Sequence, residues 1–231
     1  MPKRLILASA SPRRKELLAV LKLPFEVIPS EVEEDWLLDR SDGSPTQLAE
    51  DLAREKAMDV FHQVSFGQLA PKRENRIIVA ADTIVVSDRN GENEILGKPR
   101  DADDARRMLR LISGTSHSVL TGVCLMECEW LEEHREWWPI WNTRVVETQV
   151  RFRKMSPELI DAYIATGEPF DKAGAYGIQG YASAFVEAIH GDYFNVVGLP
   201  VSMVASMLEN IGIQWWRGAS ALENNDAELP Q

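Results

Sequence analysis

Cysteine is scarce in this chain: Cys124 and Cys128 are the two among 231 residues. A fold stapled by disulfides is therefore excluded, and at 45% hydrophobic residues a core forms without them. A zinc site needs two further ligands, and His62, His117, His134 and His190 stand at no familiar ligand spacing from the cysteines. Both thiols fall on one strand with the same facing, as reduced, packed side chains. Long apolar runs are also missing: none approaches the ~20 residues of a membrane helix. The apolar stretch at 5–8 is cut off by Ser9–Arg14, too soon for a signal peptide, so the chain reads as cytoplasmic. Basic residues are outnumbered, 25 Lys and Arg against 36 Asp and Glu, for a net charge of −11. That balance argues against a protein that grips nucleic acid by its phosphates. It leaves room for a small polyanion, because a few cations can dominate one pocket.

What is present alternates between two periods. Residues 4–8 read as a strand. Ser11-Pro12 then opens a helix over 13–21, with Leu17, Leu18 and Leu21 on one face. A short strand is expected at 24–28. Pro45-Thr46 leads a helix through Leu48, Leu52, Ala53 and Ala57, followed by a loop at 62–75. The β-branched run 76–86 is a core strand or strand pair, with a turn at 88–92. Asp101 caps a helix whose first turn carries Asp103 and Asp104, where the dipole favours acids. Residues 116–124 and 143–152 read as long strands joined by a Trp-rich connection. Ser156-Pro157 opens another helix, to about 165. A glycine-punctuated segment (167–180), a strand (184–189) and a helix (200–210) complete the domain. Interleaved strands and helices make the class α/β, and the long paired strands suggest a mixed sheet. A single domain is expected over 1–212, with 213–231 a polar, acidic, frayed tail.

Several residues sit uneasily in these elements. Arg13 and Arg14 occupy the first turn of a helix, where positive charge opposes the macrodipole by roughly 0.3–1 kcal/mol each. An anion docked there would turn that cost to use, whereas two solvated arginines would fit the placement equally. Asp82 interrupts the apolar run Ile77–Val86. A buried carboxylate needs a cation, a metal or hydrogen-bond donors, while a strand-end Asp that caps a turn needs none. Glu33 and Glu34 follow an apolar strand and read as a solvated acidic loop or a second carboxylate source. Leu96-Gly97-Lys98-Pro99 fails as a phosphate-binding loop, since Gly91 is one residue too distant and Pro99 replaces Ser or Thr; Lys98 reads as a surface lysine, or as one that reaches a phosphate from just before a helix. Lys56 reads as ordinary helix surface. In the run Asp171–Gly180, Gly174, Gly177 and Gly180 permit close approach of backbone to a ligand, with Gln179 offering a donor and an acceptor to a base edge, and a purely structural turn fits the same glycines.

Taken together, these segments resemble the Maf family. The resemblance runs from Ser9-Ala10-Ser11-Pro12-Arg13-Arg14-Lys15-Glu16-Leu17-Leu18 through Glu31-Val32-Glu33-Glu34, Ala53-Arg54-Glu55-Lys56-Ala57 and Ala81-Asp82-Thr83. It continues with Leu96-Gly97-Lys98-Pro99, Ser113-Gly114 with His117, Thr121-Gly122-Val123, and the stretch Glu168–Gly180, ending at Gly198-Leu199-Pro200. It covers roughly residues 4–210.

The resemblance implies a mixed, twisted sheet flanked by helices, similar to the inosine triphosphate pyrophosphatases, in a homodimer. It implies cleavage of the α–β anhydride of a nucleoside triphosphate with Mg²⁺ or Mn²⁺. By position, Asp82 matches the family's general base and, with Glu33, would hold the metal. Arg13, Thr83 and Gln179 match positions linked to substrate choice. Arg14, Lys56, Lys98 and Lys172 complete the expected substrate-binding set. The Gly-Ile-Gln-Gly run with the Arg-Arg pair resembles the group acting on dTTP and UTP, rather than the group acting on 7-methylguanosine triphosphate. A rival reading is a division-inhibiting binding protein that senses nucleotide, with the Trp-rich segment as its partner surface.

Overall fold

The structure, a computed structural model, describes residues 3–32, 44–66, 74–89 and 92–223. Its helices start where the sequence supplies caps. Helices α1 (Pro12–Ala19), α2 (Pro45–Ser65), α3 (Ala102–Ile112) and α4 (Pro157–Ile164) follow Ser11, Ser44, Asp101 and Ser156. Each cap oxygen accepts a backbone N–H of the first turn, from Arg14, Gln47, Asp104 and Leu159 respectively. Three of these caps are followed directly by proline, whose missing N–H is an orphan at that position anyway. Two later helices are α5 (Tyr193–Val197), which the sequence reading did not anticipate, and α6 (Val201–Asn210).

The strands are β1 (Arg4–Leu7), β2 (Phe25–Val27), β3 (Arg76–Arg89), β4 (Glu92–Leu96), β5 (Ser116–Leu131), β6 (Glu136–Phe152) and β7 (Val186–His190). They form one seven-stranded sheet in the order β2-β1-β3-β5-β6-β7, with β4 also paired to β3. β1 runs parallel to both β2 and β3, and the remaining pairs are antiparallel. The expected mixed sheet flanked by helices is therefore present.

Period-2 alternation sends successive strand residues to opposite faces. On one face Leu5, Leu7, Ile77, Val79, Val119 and Val123 join residues of α1, α3, α4 and α6 in a single core. On the other, Ile6, Ile78, Ala80, Cys124 and Met126 pack against Ala53, Ala57, Val60, Phe61 and Val64 of α2. Cys124 and Cys128 both lie in this second layer, free and buried, and burial pushes each thiol up to about 12. α2 crosses β5 so closely that a Cβ at Gly122 would meet the Ala49 carbonyl oxygen at 1.9 Å, so only glycine fits.

Three expectations need correction. The loop expected from 62 is helical through Ser65, because Phe61 and Val64 continue the apolar face of α2; residues 67–73 lie outside the described residues. The Trp-rich stretch is not a connection between strands but part of them. β5 and β6 pair in unbroken register out to Leu131 and Glu136, with the Trp130 and Trp137 rings 5.4 Å apart edge to face. The chain beyond 212 does not fray at once. Ile213, Ala221 and Leu222 are buried in the main core, and the Lys3 N–H donates to the Leu222 carbonyl. Residues 224–231 lie outside the described residues. No helix among the described residues is long and apolar enough to cross a membrane.

Candidate functional site

The site begins as a gap in the sheet. Along the edge of β3 away from β5, pairing with β1 ends at Val79 and pairing with β4 begins at Val85. Between them, residues 80–84 face no strand on that side. A cavity of about 1030 Å³ opens there, walled by the turn leading into α1, the middle of α2, Gly97-Lys98 and the 170–179 segment. Side chains on both faces of β3 can reach it across the open edge. That is how Asp82 and Thr83, successive residues with opposite facings, come to line one cavity.

Asp82 is buried, and its Oδ1 accepts from the Lys56 ammonium of α2. This supplies the cation that a carboxylate within an apolar strand requires. It also corrects the reading of Lys56 as ordinary helix surface. Lys56 falls on the same α2 face as Leu52 and Ala53, which packs on the sheet, and only 8% of the residue is exposed. Helical periodicity puts it on that face, but its partner comes from a strand 26 residues away.

Thr83 points to the opposite side. Its Oγ1 lies 2.9 Å from Thr121 Oγ1 and accepts from Arg14 Nη2 at 3.2 Å. Arg14 also donates from Nε to the Gly198 carbonyl (2.8 Å) and from Nη1 to Ser9 Oγ (3.4 Å). Its guanidinium thus ties α1 to β3 and to the α5–α6 turn as well as lining the cavity. Behind Thr83 the chain of bonds continues: Thr121 donates to the Asn195 carbonyl, and the Asn195 amide donates to the Val119 carbonyl and to Thr148 Oγ1.

Arg13, Lys98, Lys172 and Gln179 also line the cavity. Lys98 is exposed, and Lys172 donates to the Glu168 carbonyl and to the Asp171 carboxylate. Burial pushes the Asp171 carboxyl up, but the Lys172 bond and charge, with Arg13 beyond, bring it below the ordinary carboxylate range. Farther from the opening, Tyr176 meets His117 Nε2 at 2.8 Å. Burial holds His117 neutral, down to about 4, and keeps the Tyr176 hydroxyl protonated.

Every expected site residue among those described therefore reaches one cavity. Glu33 lies outside the described residues. Arg13, Arg14, Lys56, Lys98 and Lys172 face Asp82 and Asp171, a local excess of cations in an acidic chain. Reasoning from the sequence missed Ser9, Thr121 and Asn195, because a serine in a turn or a threonine in a strand carries no signal until its partner is known. Among the described residues, no group of three or more His, Cys, Asp or Glu is arranged to hold a metal ion. Asp82 and Asp171 are the carboxylates on the cavity among the described residues, and a cation of the Mg²⁺ type takes one or two carboxylates and completes its shell from substrate phosphates and water.

This fold and cleft define an α/β protein of the mixed-sheet type with a cation-lined cavity of nucleotide size. The family model described as Maf-like protein matches residues 4–211, and the chain belongs to that family. A protein of Alkaliphilus oremlandii named dTTP/UTP pyrophosphatase is 46% identical, over 90% of this chain and 96% of its own. Proteins of the same name from Ruminiclostridium cellulolyticum and Pyrococcus abyssi are 42% and 46% identical. They cover 90% and 89% of this chain and 96% and 95% of their own lengths.

Proposed function

We propose that this chain is a dTTP/UTP pyrophosphatase, cleaving the α–β anhydride with water to release the nucleoside monophosphate and pyrophosphate. The observation that carries the reading is the break in pairing along β3, which exposes Asp82 and Thr83 together to one cation-lined cavity. The names of relatives that span nearly the whole chain support the substrate class. They favour it over 7-methylguanosine triphosphate and over a sensing role without turnover.

Phosphoryl transfer needs positioning and charge neutralisation more than covalent help. Arg13 and Lys98 bind the phosphates from two sides of the cavity, and Lys172 lines the wall that carries Gln179. Asp82 accepts the proton of the attacking water as its oxygen bonds to the α-phosphorus and the bond to pyrophosphate breaks. Lys56 orients that carboxylate. Asp82, with Glu33 and phosphate oxygens, would hold Mg²⁺ or Mn²⁺, which neutralises charge on the triphosphate when bound. The enzyme acts as a cytoplasmic homodimer on free nucleotides; the −11 charge disfavours a nucleic-acid substrate.

Gln179, exposed on the cavity wall, reads the base. Its carboxamide complements the O4 acceptor and N3–H donor of uracil and thymine, and cytosine presents the reverse. A site built on such an edge rejects mismatched analogues strongly. Pyrophosphate release across a nucleotide panel, with Mg²⁺ and with chelator, tests this. UTP and dTTP are cleaved well, CTP weakly and 7-methylguanosine triphosphate hardly at all, and chelator abolishes turnover. Gln179→Ala narrows the gap between UTP and CTP. A panel led by 7-methylguanosine triphosphate, or no release from any nucleotide, rejects the assignment.

A further inference from the structure

Gln179 is exposed and belongs to no helix or strand, yet an amide that distinguishes uracil from cytosine must not turn over. Two residues that do not line the cavity fix the main chain on both sides of it. Tyr163, buried in the last turn of α4, accepts the Gly177 N–H on its hydroxyl at 3.3 Å and donates to Glu168 Oε1 at 2.9 Å. The other Glu168 oxygen, Oε2, accepts the Tyr181 N–H at 2.9 Å. One hydroxyl–carboxylate pair therefore grips residues 177 and 181, two positions before and two after Gln179.

The glycines of this segment show how tight the grip is. A Cβ at Gly180 would come within 2.3 Å of the Glu168 carboxylate oxygens, and one at Gly177 within 2.5 Å of Lys172 Cε. The main chain lies directly on the carboxylate at one end and on the lysine stem at the other. Burial and the Glu168 bond raise the Tyr163 hydroxyl above its ordinary value, so it remains a donor. The Tyr163 ring packs edge to face on Phe185, 5.2 Å between centroids, and needs no hydroxyl for that contact.

We propose that Tyr163 and Glu168 are positioning residues that set nucleotide discrimination by holding the Gly177–Tyr181 segment, and with it Gln179, without touching the nucleotide. The inference rests on the reading that Gln179 recognises the base. Its test is the ratio of kcat/KM for UTP over CTP in Tyr163→Phe, Gly180→Ala, Gln179→Ala and the Tyr163→Phe/Gln179→Ala double variant. Tyr163→Phe keeps the ring and releases the Gly177 N–H. Gly180→Ala displaces the carboxylate and serves equally if the first variant folds poorly.

Either single change is expected to lower the ratio by about 10–100-fold, the scale on which a shift of an ångström is felt. The loss falls on UTP far more than on CTP, whereas general destabilisation would lower both alike. In the Gln179→Ala background Tyr163→Phe lowers the ratio no further. If Gln179→Ala collapses the ratio while Tyr163→Phe and Gly180→Ala preserve it, the positioning role is overturned and base reading by Gln179 stands. If Gln179→Ala itself preserves the ratio, base reading is overturned and the positioning role falls with it.

Discussion

Asp82→Asn lowers turnover of UTP and dTTP by about 10²–10⁴-fold, the usual effect of removing a general base, while the protein stays folded. The Lys56 ammonium loses its counter-charge, which lowers stability, but shape is conserved and the amide oxygen still accepts from Lys56, so packing against α2 persists. What disappears is the negative charge facing the cavity, and with it the acceptor for the proton of water. The measurement is kcat for both nucleotides well below the unfolding temperature, with far-ultraviolet circular dichroism to verify the fold. Turnover within tenfold of the parent would remove Asp82 from the chemistry and leave it as the counterion of Lys56.

Lys56→Met has the largest expected effect on stability. The ammonium and its carboxylate partner expose only 9% and 8% of their side chains, so water does little to compensate either alone. Removing one member of such a pair strands a buried charge and is destabilising by about 3–5 kcal/mol. For a domain of this size that lowers Tm by about 6–20 °C. Lys56→Met/Asp82→Asn should regain most of the loss, because the stranded charge has gone. Denaturant unfolding of the two singles and the double gives the coupling directly. Additive losses, with no recovery in the double, would mean that the contact between Lys56 and Asp82 contributes nothing specific. Turnover falls in both variants that carry the lysine change, in the single because Asp82 is no longer oriented and in the double because the base itself is gone.

The comparison of Lys56 with Asp82 shows how far local signals reach. Asp82 is conspicuous in the sequence because the surrounding run is apolar and a charge there demands a partner. Lys56 is inconspicuous, since a lysine within a helix is normally on its outer face. The helical period does place it beside Leu52 and Ala53, but the solvation of that face depends on what packs over it. The same holds for Thr121 and Asn195, ordinary residues whose bonds behind Thr83 exist only after β3, β5 and α5 have met. Conversely, clustered aromatics and Pro139 obscure strand alternation in the Trp-rich stretch, so the sequence alone does not show it as strand. Its pairing from Cys128↔Pro139 to Leu131↔Glu136 is imposed by a register already set nearer the core.

By itself the sequence determined the caps, the α/β class, the core strand around Asp82 and the family. Each of these is a matter of short-range chemistry: a side-chain oxygen for a free N–H, an alternation of two or 3.6, or a run of residues in order. Only the tertiary structure decided that β1 stops at Val79 and β4 starts at Val85, so that five residues of β3 stand open between them. That gap arises from where two short strands, β1 and β4, end along one edge of the long strand β3, a relation between distant segments that no local pattern encodes. It converts two side chains of opposite facing into one site, and it brings to them cations from α1, α2 and the segments beyond β4 and α4.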